Sequence, residues 1–208
     1  KNNKMEVVYI DDLIDQLINL IKFKKSKNFL NFKLKKIDKT SVGEIFNIIS
    51  KIKNYRNELE ILDLKKRLNA NLYSTYVSFF SKKLASYKLL TNKNKTGIFT
   101  EFLKGKNFGQ ISTLSIKPGQ TRGNHYHHSK VEKFLVIRGK AKFKFENILN
   151  KKNNFNILTN SKELRIIETI PGFTHNIKNI GNEELITIIW SNQIFDKIKP
   201  DTIFKEIT

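Results

Sequence analysis

The sequence predicts a mostly β fold, with a mainly helical region followed by an all-β sandwich or small barrel. Three observations carry this. Apolar residues recur at helical spacing up to about residue 90 and as short alternating runs from about residue 95. All the Pro and nearly all the Gly lie after residue 95, Gly43 being the exception. The short runs end at turn signals such as Pro118-Gly119, Gly139 and Pro171-Gly172, the spacing of a strand-rich domain.

In the helical part, Asp11-Asp12 is expected to cap the run Leu13 to Ile21. Thr40-Ser41-Val42-Gly43-Glu44 reads as a capping box, followed by an apolar face of Ile45, Phe46, Ile48, Ile49 and Ile52. A third helix is expected from Leu62 to Leu84, with Leu68, Leu72, Tyr76 and Phe79-Phe80 inward. In the β part, strands are expected at Gly109–Ile116, Phe134–Ile137, Lys140–Phe145, Ile166–Ile170 and Leu185–Trp190. Ala141, Phe143 and Phe145 alternate with Lys142 and Lys144, so one face is apolar. Lys151 to Asn160 reads as a polar, Asn-rich loop. The boundary between the two regions is placed near residues 88 to 96, giving domains of 1–92 and 93–208.

Composition narrows the function. The 208 residues contain no Cys, which excludes thiolate metal sites and disulfides and fits a reducing compartment. No apolar run approaches the roughly 18 to 20 residues of a membrane span, and Lys1 to Tyr9 lacks a signal-peptide core. The expectation is a cytoplasmic protein without membrane insertion. A net charge of +20 invites a nucleic-acid reading. However, the 39 basic residues include only five arginines, Arg56, Arg67, Arg122, Arg138 and Arg165. Arg is the side chain suited to bidentate phosphate contact. The lysines are also spread along the whole chain with Asn and Ile, so no nucleic-acid partner is expected. A basic cleft for an anionic small molecule remains compatible.

The chemistry concentrates at the histidines, which stand only at 125, 127, 128 and 175. Residues two apart on a strand share a face, so His125 and His127 can aim into one interior. Glu132 opens the next strand, and His175 follows the Pro171-Gly172 turn. Three imidazoles and a carboxylate suit zinc or another divalent first-row metal. The bland alternative is a group of core or surface histidines without metal.

Gly119 to Gly139 reads G-x5-H-x-H-x4-E-x6-G, and Gly172, His175 and Asn179 read G-x2-H-x3-N. These resemble the two motifs of the cupins, which implies a double-stranded β-helix, or jelly-roll barrel, with His125, His127, Glu132 and His175 as metal ligands. Pro171 lies next to Gly172 rather than two before it, a departure that concerns the local turn. Further segments extend the resemblance: Thr96 to Phe102, Gly109-Gln110-Ile111-Ser112, Lys117-Pro118-Gly119, Thr121 to Val136, and Pro200-Asp201-Thr202. Together they are similar to the cupin half of bifunctional capsular-polysaccharide enzymes acting on a UDP-2-acetamido-2,6-dideoxy-4-ketohexose. That family pairs a short-chain dehydrogenase/reductase domain with a C-terminal zinc cupin. Val7 to Asp12 and Thr40 to Ile45 resemble late segments of such a reductase. The resemblance therefore implies a partial reductase tail before the cupin, epimerisation at C3 by the cupin, and C4 reduction by the other domain. It also implies a homodimer through the cupin. No G-x-G-x-x-G occurs, so NADP(H) is expected only for a reductase half outside this chain. With Lys1 first, the chain is expected to be the C-terminal piece of a longer polypeptide.

Within that reading, Lys130 and His128 are the candidates for proton transfer, and Arg122, Gln110 and Glu101 for substrate contact. Strand parity points His128 away from the ligands, and Arg122 too unless a bulge intervenes. Trp190 reads as core, and the Tyr126 to Lys130 spacing as coincidence. Arg122-Gly123-Asn124-His125 also resembles the R-G-x-H segment of metal-free sugar epimerases, in which the His is a base; His127 and Glu132 argue against that variant. Two other functions compete: a non-catalytic metal cupin serving dimerisation and substrate positioning, and an oxygenase cupin acting on a small molecule.

Overall fold

The computed structural model describes residues 3–22 and 33–207, so Lys1 lies outside the described residues. These fall into two compact units, one of residues 1–57 and 62–86, the other of residues 58–61 and 87–208.

The first unit opens with strand β1 (Lys4–Val8), helix α1 (Ile10–Lys22), strand β2 (Ile37–Ser41), helix α2 (Val42–Glu58) and helix α3 (Arg67–Ser78). β1 and β2 pair antiparallel as a two-stranded sheet within this mainly helical unit. At α2 the N-cap half of the capping box forms, and Glu44 turns its carboxylate to Thr40. Ser41 Oγ accepts from the Glu44 amide at 3.2 Å, and Thr40 Oγ1 donates to Glu44 Oε2 at 2.8 Å. The first bond satisfies an amide that the first helical turn leaves without a partner, and the second fixes the Glu44 side chain beside the helix start. Ile48 and Ile52 are buried on the inner face, whereas Phe46 is 67% exposed.

Three local expectations change. α1 begins at Ile10, with Tyr9 O accepting from Leu13 N at 3.1 Å. Asp11 and Asp12 therefore lie in its first turn and do not cap it. There Asp12 meets the positive helix end and bonds Lys36 Nζ at 2.6 Å and Arg67 Nη1 at 3.0 Å. The helix expected from Leu62 starts only at Arg67. Asp63 claims the preceding backbone by accepting from Lys65 N at 3.1 Å, a local turn that competes with helix. α3 stops before Phe79, which is 81% exposed, and a short 3-10 turn covers Lys82–Leu84.

The second unit contains β3 (Asn92–Lys93), β4 (Gly97–Gly105), β5 (Gly109–Ile116), β6 (Thr121–Tyr126), β7 (Glu132–Arg138), β8 (Lys140–Asn147), β9 (Asn154–Asn160), β10 (Ile166–Glu168), β11 (Phe173–Asn179), β12 (Leu185–Ser191) and β13 (Ile203–Phe204). They form two antiparallel sheets, in order β10-β7-β12-β5-β4-β3 and β13-β6-β11-β8-β9. This is a mostly β double-stranded β-helix. Residues 58–61 belong to it: Ile61 N donates to Lys104 O and Lys104 N to Leu59 O, at 2.8 and 2.7 Å.

Between the sheets lies the core of Leu114, Ile116, Phe134, Val136, Phe143, Phe145, Ile177 and Leu185 with their neighbours. The alternation of β8 puts Ala141, Phe143 and Phe145 inward at 0 to 1% exposure. Full burial of each Phe contributes about 1.5–3 kcal/mol from the apolar area removed from water. The segment read as a loop, 151–160, is in its second half the edge strand β9, registered on β8 from Asn154 to Asn160. Its Asn content hides the signal. Phe155, Ile157 and Thr159 still alternate inward, and an edge strand needs only one such face.

Candidate metal centre

Four side chains from three strands and one turn converge at one end of the barrel. His125 is the last residue but one of β6, Glu132 starts β7, His175 lies on β11, and His127 sits just past β6. Their potential ligand atoms all lie within 4.8 Å of one another. Glu132 Oε2 is 3.4 Å from His127 Nε2, 3.5 Å from His175 Nε2 and 4.0 Å from His125 Nε2. Ligands at about 2.0–2.2 Å from a tetrahedral ion stand roughly 3.4 Å apart, so the spacing suits a first-row cation.

The donor chemistry agrees. His127 is 1% exposed and His175 3%, and the Nε2 atom of each has no hydrogen-bond partner. A buried polar atom without a partner is costly, and a cation at the centre would satisfy both. The other nitrogen of His127 bonds the carbonyl of Asp201. A carbonyl only accepts, so Nδ1 carries the proton and the Nε2 lone pair faces the centre. Burial pushes the His175 imidazole below its ordinary value, against the pull of Glu132. Burial alone would raise the Glu132 carboxyl, but the three imidazoles gathered around it and the Lys130 ammonium outweigh it. They hold the carboxyl well below the ordinary range. An ionised carboxylate beside a neutral His175 is the protonation state a cation needs.

Local backbone chemistry aims each group. The Glu132 amide donates to Thr169 Oγ1 at 2.8 Å, and Thr169 N returns a bond to Glu132 O at 2.9 Å. The His127 carbonyl accepts from Gly172 N at 2.9 Å. On β6 there is a bulge. His175 faces His125 and Asn176 faces Gly123, so Asn124 is an extra residue, with φ 58°. Gly123 has φ 105°, and a Cβ there would stand 2.8 Å from His175 O, so the turn demands glycine. The bulge flips the parity of the strand, and Arg122 and His125 line the same cavity.

That cavity, of about 350 Å³, opens beside the cluster. Of the residues singled out from the sequence, His125, Glu132, His175, Lys130, Arg122, Gln110 and Glu101 line it together. Lys130 Nζ is 3.1 Å from Glu132 Oε1, and its side chain is only 11% exposed, so it is no solvated turn residue. Glu101 accepts from Gln110 Nε2 and pairs with Lys104 Nζ, both at 3.0 Å. Arg122 Nη1 is held by Asn94 Oδ1 at 2.8 Å and Thr96 Oγ1 at 3.2 Å, and burial lowers its pKa. His128 is not brought in: it is exposed and packs edge-on against Tyr126. Trp190 donates to Phe108 O at 2.6 Å, a structural bond. Asn179, matched in the second motif, is wholly buried and bonds the carbonyls of Ile116 and Glu183, so it ties strand ends together.

Several lining residues escaped the sequence reading: Phe99, Ser112, Asn176, Phe195 and Thr202. Nothing in their local sequence separates them from ordinary strand or loop residues. Asp201 was quoted only for resemblance. Its carboxylate accepts from the amides of His128, Ser129 and Lys130, each at 2.8 Å. Partial burial would raise its pKa, but these bonds dominate and push it far down.

The sequence pattern of the polysaccharide biosynthesis C-terminal domain matches residues 92–203. A curated relative, the UDP-2-acetamido-2,6-beta-L-arabino-hexul-4-ose reductase of Pseudomonas aeruginosa, is 39% identical over 199 residues. The alignment covers 96% of this chain and 53% of the relative, so the chain spans about half the relative's length. Crystalline CapF with the inhibitor 3-isopropenyl-tropolone is similar at TM-score 0.92 and 34% identity, over 99% of this chain and 59% of that one. The capsular polysaccharide assembling protein CapF of Staphylococcus aureus gives TM-score 0.90 and 34% identity, over 99% and 56%. Among the described residues, no helix is long and apolar enough to cross a membrane.

Proposed function

This chain belongs to the polysaccharide biosynthesis C-terminal domain family, and from that premise we propose that it is the cupin part of a nucleotide-sugar enzyme of capsular polysaccharide biosynthesis. Its barrel epimerises C3 of a UDP-4-keto-6-deoxy-N-acetylhexosamine before the C4 ketone is reduced. The observation that carries this reading is the four-ligand cluster, three of whose members line a cavity that Lys130 lines as well.

His125, His127, Glu132 and His175 would hold zinc or another divalent metal, which when bound supplies Lewis acidity toward a ketone oxygen and so acidifies the adjacent C–H. The protein's own groups do the rest. Lys130 Nζ, held 3.1 Å from Glu132 Oε1, first gives its own proton to solvent and then, as the free amine, takes the C3 proton. A solvent-derived donor returns a proton on the opposite face, which inverts the carbon. Gln110 and Glu101, bonded to each other, contact the sugar hydroxyls. Arg122, partly buried at the cavity wall, binds the diphosphate. His128, with its ring turned onto Tyr126, leaves proton transfer to Lys130. The same reading places a reductase tail in residues 1–92 and the cupin in 93–208, NADP(H) in a reductase half outside this chain, a homodimer through the cupin, and the enzyme in the cytoplasm.

The test is deuterium incorporation at C3 of the keto sugar in D2O. The intact chain is expected to exchange. Lys130→Met should slow exchange by about 10²–10⁴-fold, the range of a general base, while metal content holds. His175→Ala should lose metal and exchange together. No exchange by the intact, metal-loaded chain leaves a cupin that only positions substrate and dimerises. Bound iron with oxygen uptake marks a small-molecule oxygenase.

A further inference from the structure

The turn that joins β6 to β7 carries one ligand, His127, and the base candidate, Lys130, yet no strand pairing holds residues 127–130. Gly172 N bonds the His127 carbonyl, but the amides of residues 128–130 are held from more than 70 positions away in sequence. Asp201 Oδ1 accepts from His128 N at 2.8 Å. Asp201 Oδ2 accepts from Ser129 N at 2.8 Å, Ser129 Oγ at 3.0 Å and Lys130 N at 2.8 Å. Successive amides turned onto one carboxylate make an anion nest, and each bond to an ionised acceptor is stronger than a neutral one. The main-chain carbonyl of the same residue bonds His127 Nδ1. The next residue, Thr202, has its hydroxyl 3.5 Å from Lys130 Nζ.

We propose that Asp201 is a positioning residue of the metal centre: its carboxylate folds the turn, and its carbonyl sets the His127 tautomer that turns Nε2 to the metal. The tail does not need the carboxylate in order to dock. β13 pairs with β6 through Ile203 and Phe204, and Lys205 N donates to Asn124 O at 2.9 Å. The carboxylate is therefore spent on the turn. Four donors from the turn converge on it, and none of them comes from the tail's own backbone. Carbonyl partners of ligating imidazoles fix ring orientation and tautomer, and their loss commonly costs 10–100-fold in metal affinity.

The inference rests on the metal reading, and the experiment separates the two. Zinc affinity of the full chain is measured by competition with a chromophoric chelator, and the His127 tautomer by long-range 15N–1H correlation. Zinc-loaded wild type should show His127 protonated at Nδ1 and coordinated through Nε2. Asp201→Ala keeps the main-chain carbonyl, so it should leave the His127 tautomer in place while the loosened turn weakens zinc about 10–100-fold. Asp201→Asn, which keeps one acceptor oxygen, should fall between. A role confined to anchoring the tail would lower the melting temperature without moving zinc affinity. Zinc affinity in Asp201→Ala within twofold of wild type overturns the inference and leaves the metal reading intact. If Asp201→Ala does not fold, Asp201→Asn decides by the same criterion. Wild-type His127 protonated at Nε2 overturns it without any variant. A wild-type chain that takes up no zinc sinks the metal reading and this inference with it.

Discussion

The barrel encloses a continuous apolar core, whereas the N-terminal unit buries only Ile48 and Ile52 among its described apolar side chains. Both regions carry strong hydrophobic patterns. In the barrel, two sheets face each other, so an alternating pattern such as that of β8 meets a partner of equal width. In the N-terminal unit, α1 has an equally clear apolar stripe of Ile10, Ile14, Leu17, Ile18 and Ile21, and all five are exposed. A pattern defines a face; a core requires a second face against it. The N-terminal unit is held more by polar chemistry, such as the N-cap bond of α2 and the Asp12 pairs with Lys36 and Arg67.

The contrast breaks most easily at Phe143, packed edge-on against Phe134 at 5.4 Å. Phe143→Ala should cost about 3–5 kcal/mol, a transfer loss plus a cavity. The chain has one tryptophan, Trp190, on β12 of the barrel. Its fluorescence in urea therefore reports this loss; an unchanged midpoint would mean that the β core is not what holds the barrel. Next comes Ser41→Ala, which removes the N-cap of α2 and should cost about 1 kcal/mol. The circular dichroism of the helices should report it while Trp190 fluorescence holds its midpoint.

A smaller effect follows from pH. All four histidines lie in the barrel region, and His175 is held below its ordinary value of 6.5. The unfolded chain then binds more protons than the folded one below that value, so this contribution is full above about pH 6.5. It is lost as pH falls below it. In chelator-treated protein the Trp190 midpoint should therefore drop between pH 7 and 5.5. Glu132 and Asp201 have lowered folded values, so their contribution is lost only in stronger acid, below about pH 4. A flat Trp190 profile from pH 7 to 5.5 would contradict the neutral, buried His175. The smallest effect belongs to Phe46→Ala: at 67% exposure it should shift stability by no more than about 0.5 kcal/mol. A larger cost would show that the α2 face has a partner after all.

Much of the barrel was legible because strands and turns leave local signatures. β5 runs from Gly109 to Ile116, and β8 buries the residues its alternation marks. β9 was not legible, because Asn-rich composition imitates a loop and only the β8 ladder reveals the strand. α3 was overextended, because Leu62 and Leu64 continue the helical period while Asp63 quietly breaks it.

At the site, the residue types and spacings of His125, His127, Glu132 and His175 were determined by sequence alone, since two-residue strand parity and fixed turn positions are local properties. Their approach to within 4.8 Å was decided by the tertiary structure. So was the entry of Arg122 into the cavity. Parity forbids it, and the bulge at Asn124 permits it, a feature of pairing with β11 that no single strand displays. Asp201 is the extreme case. An aspartate in a C-terminal tail has no local signature, and its meaning comes from three amides more than 70 residues earlier that only the folded chain delivers to it.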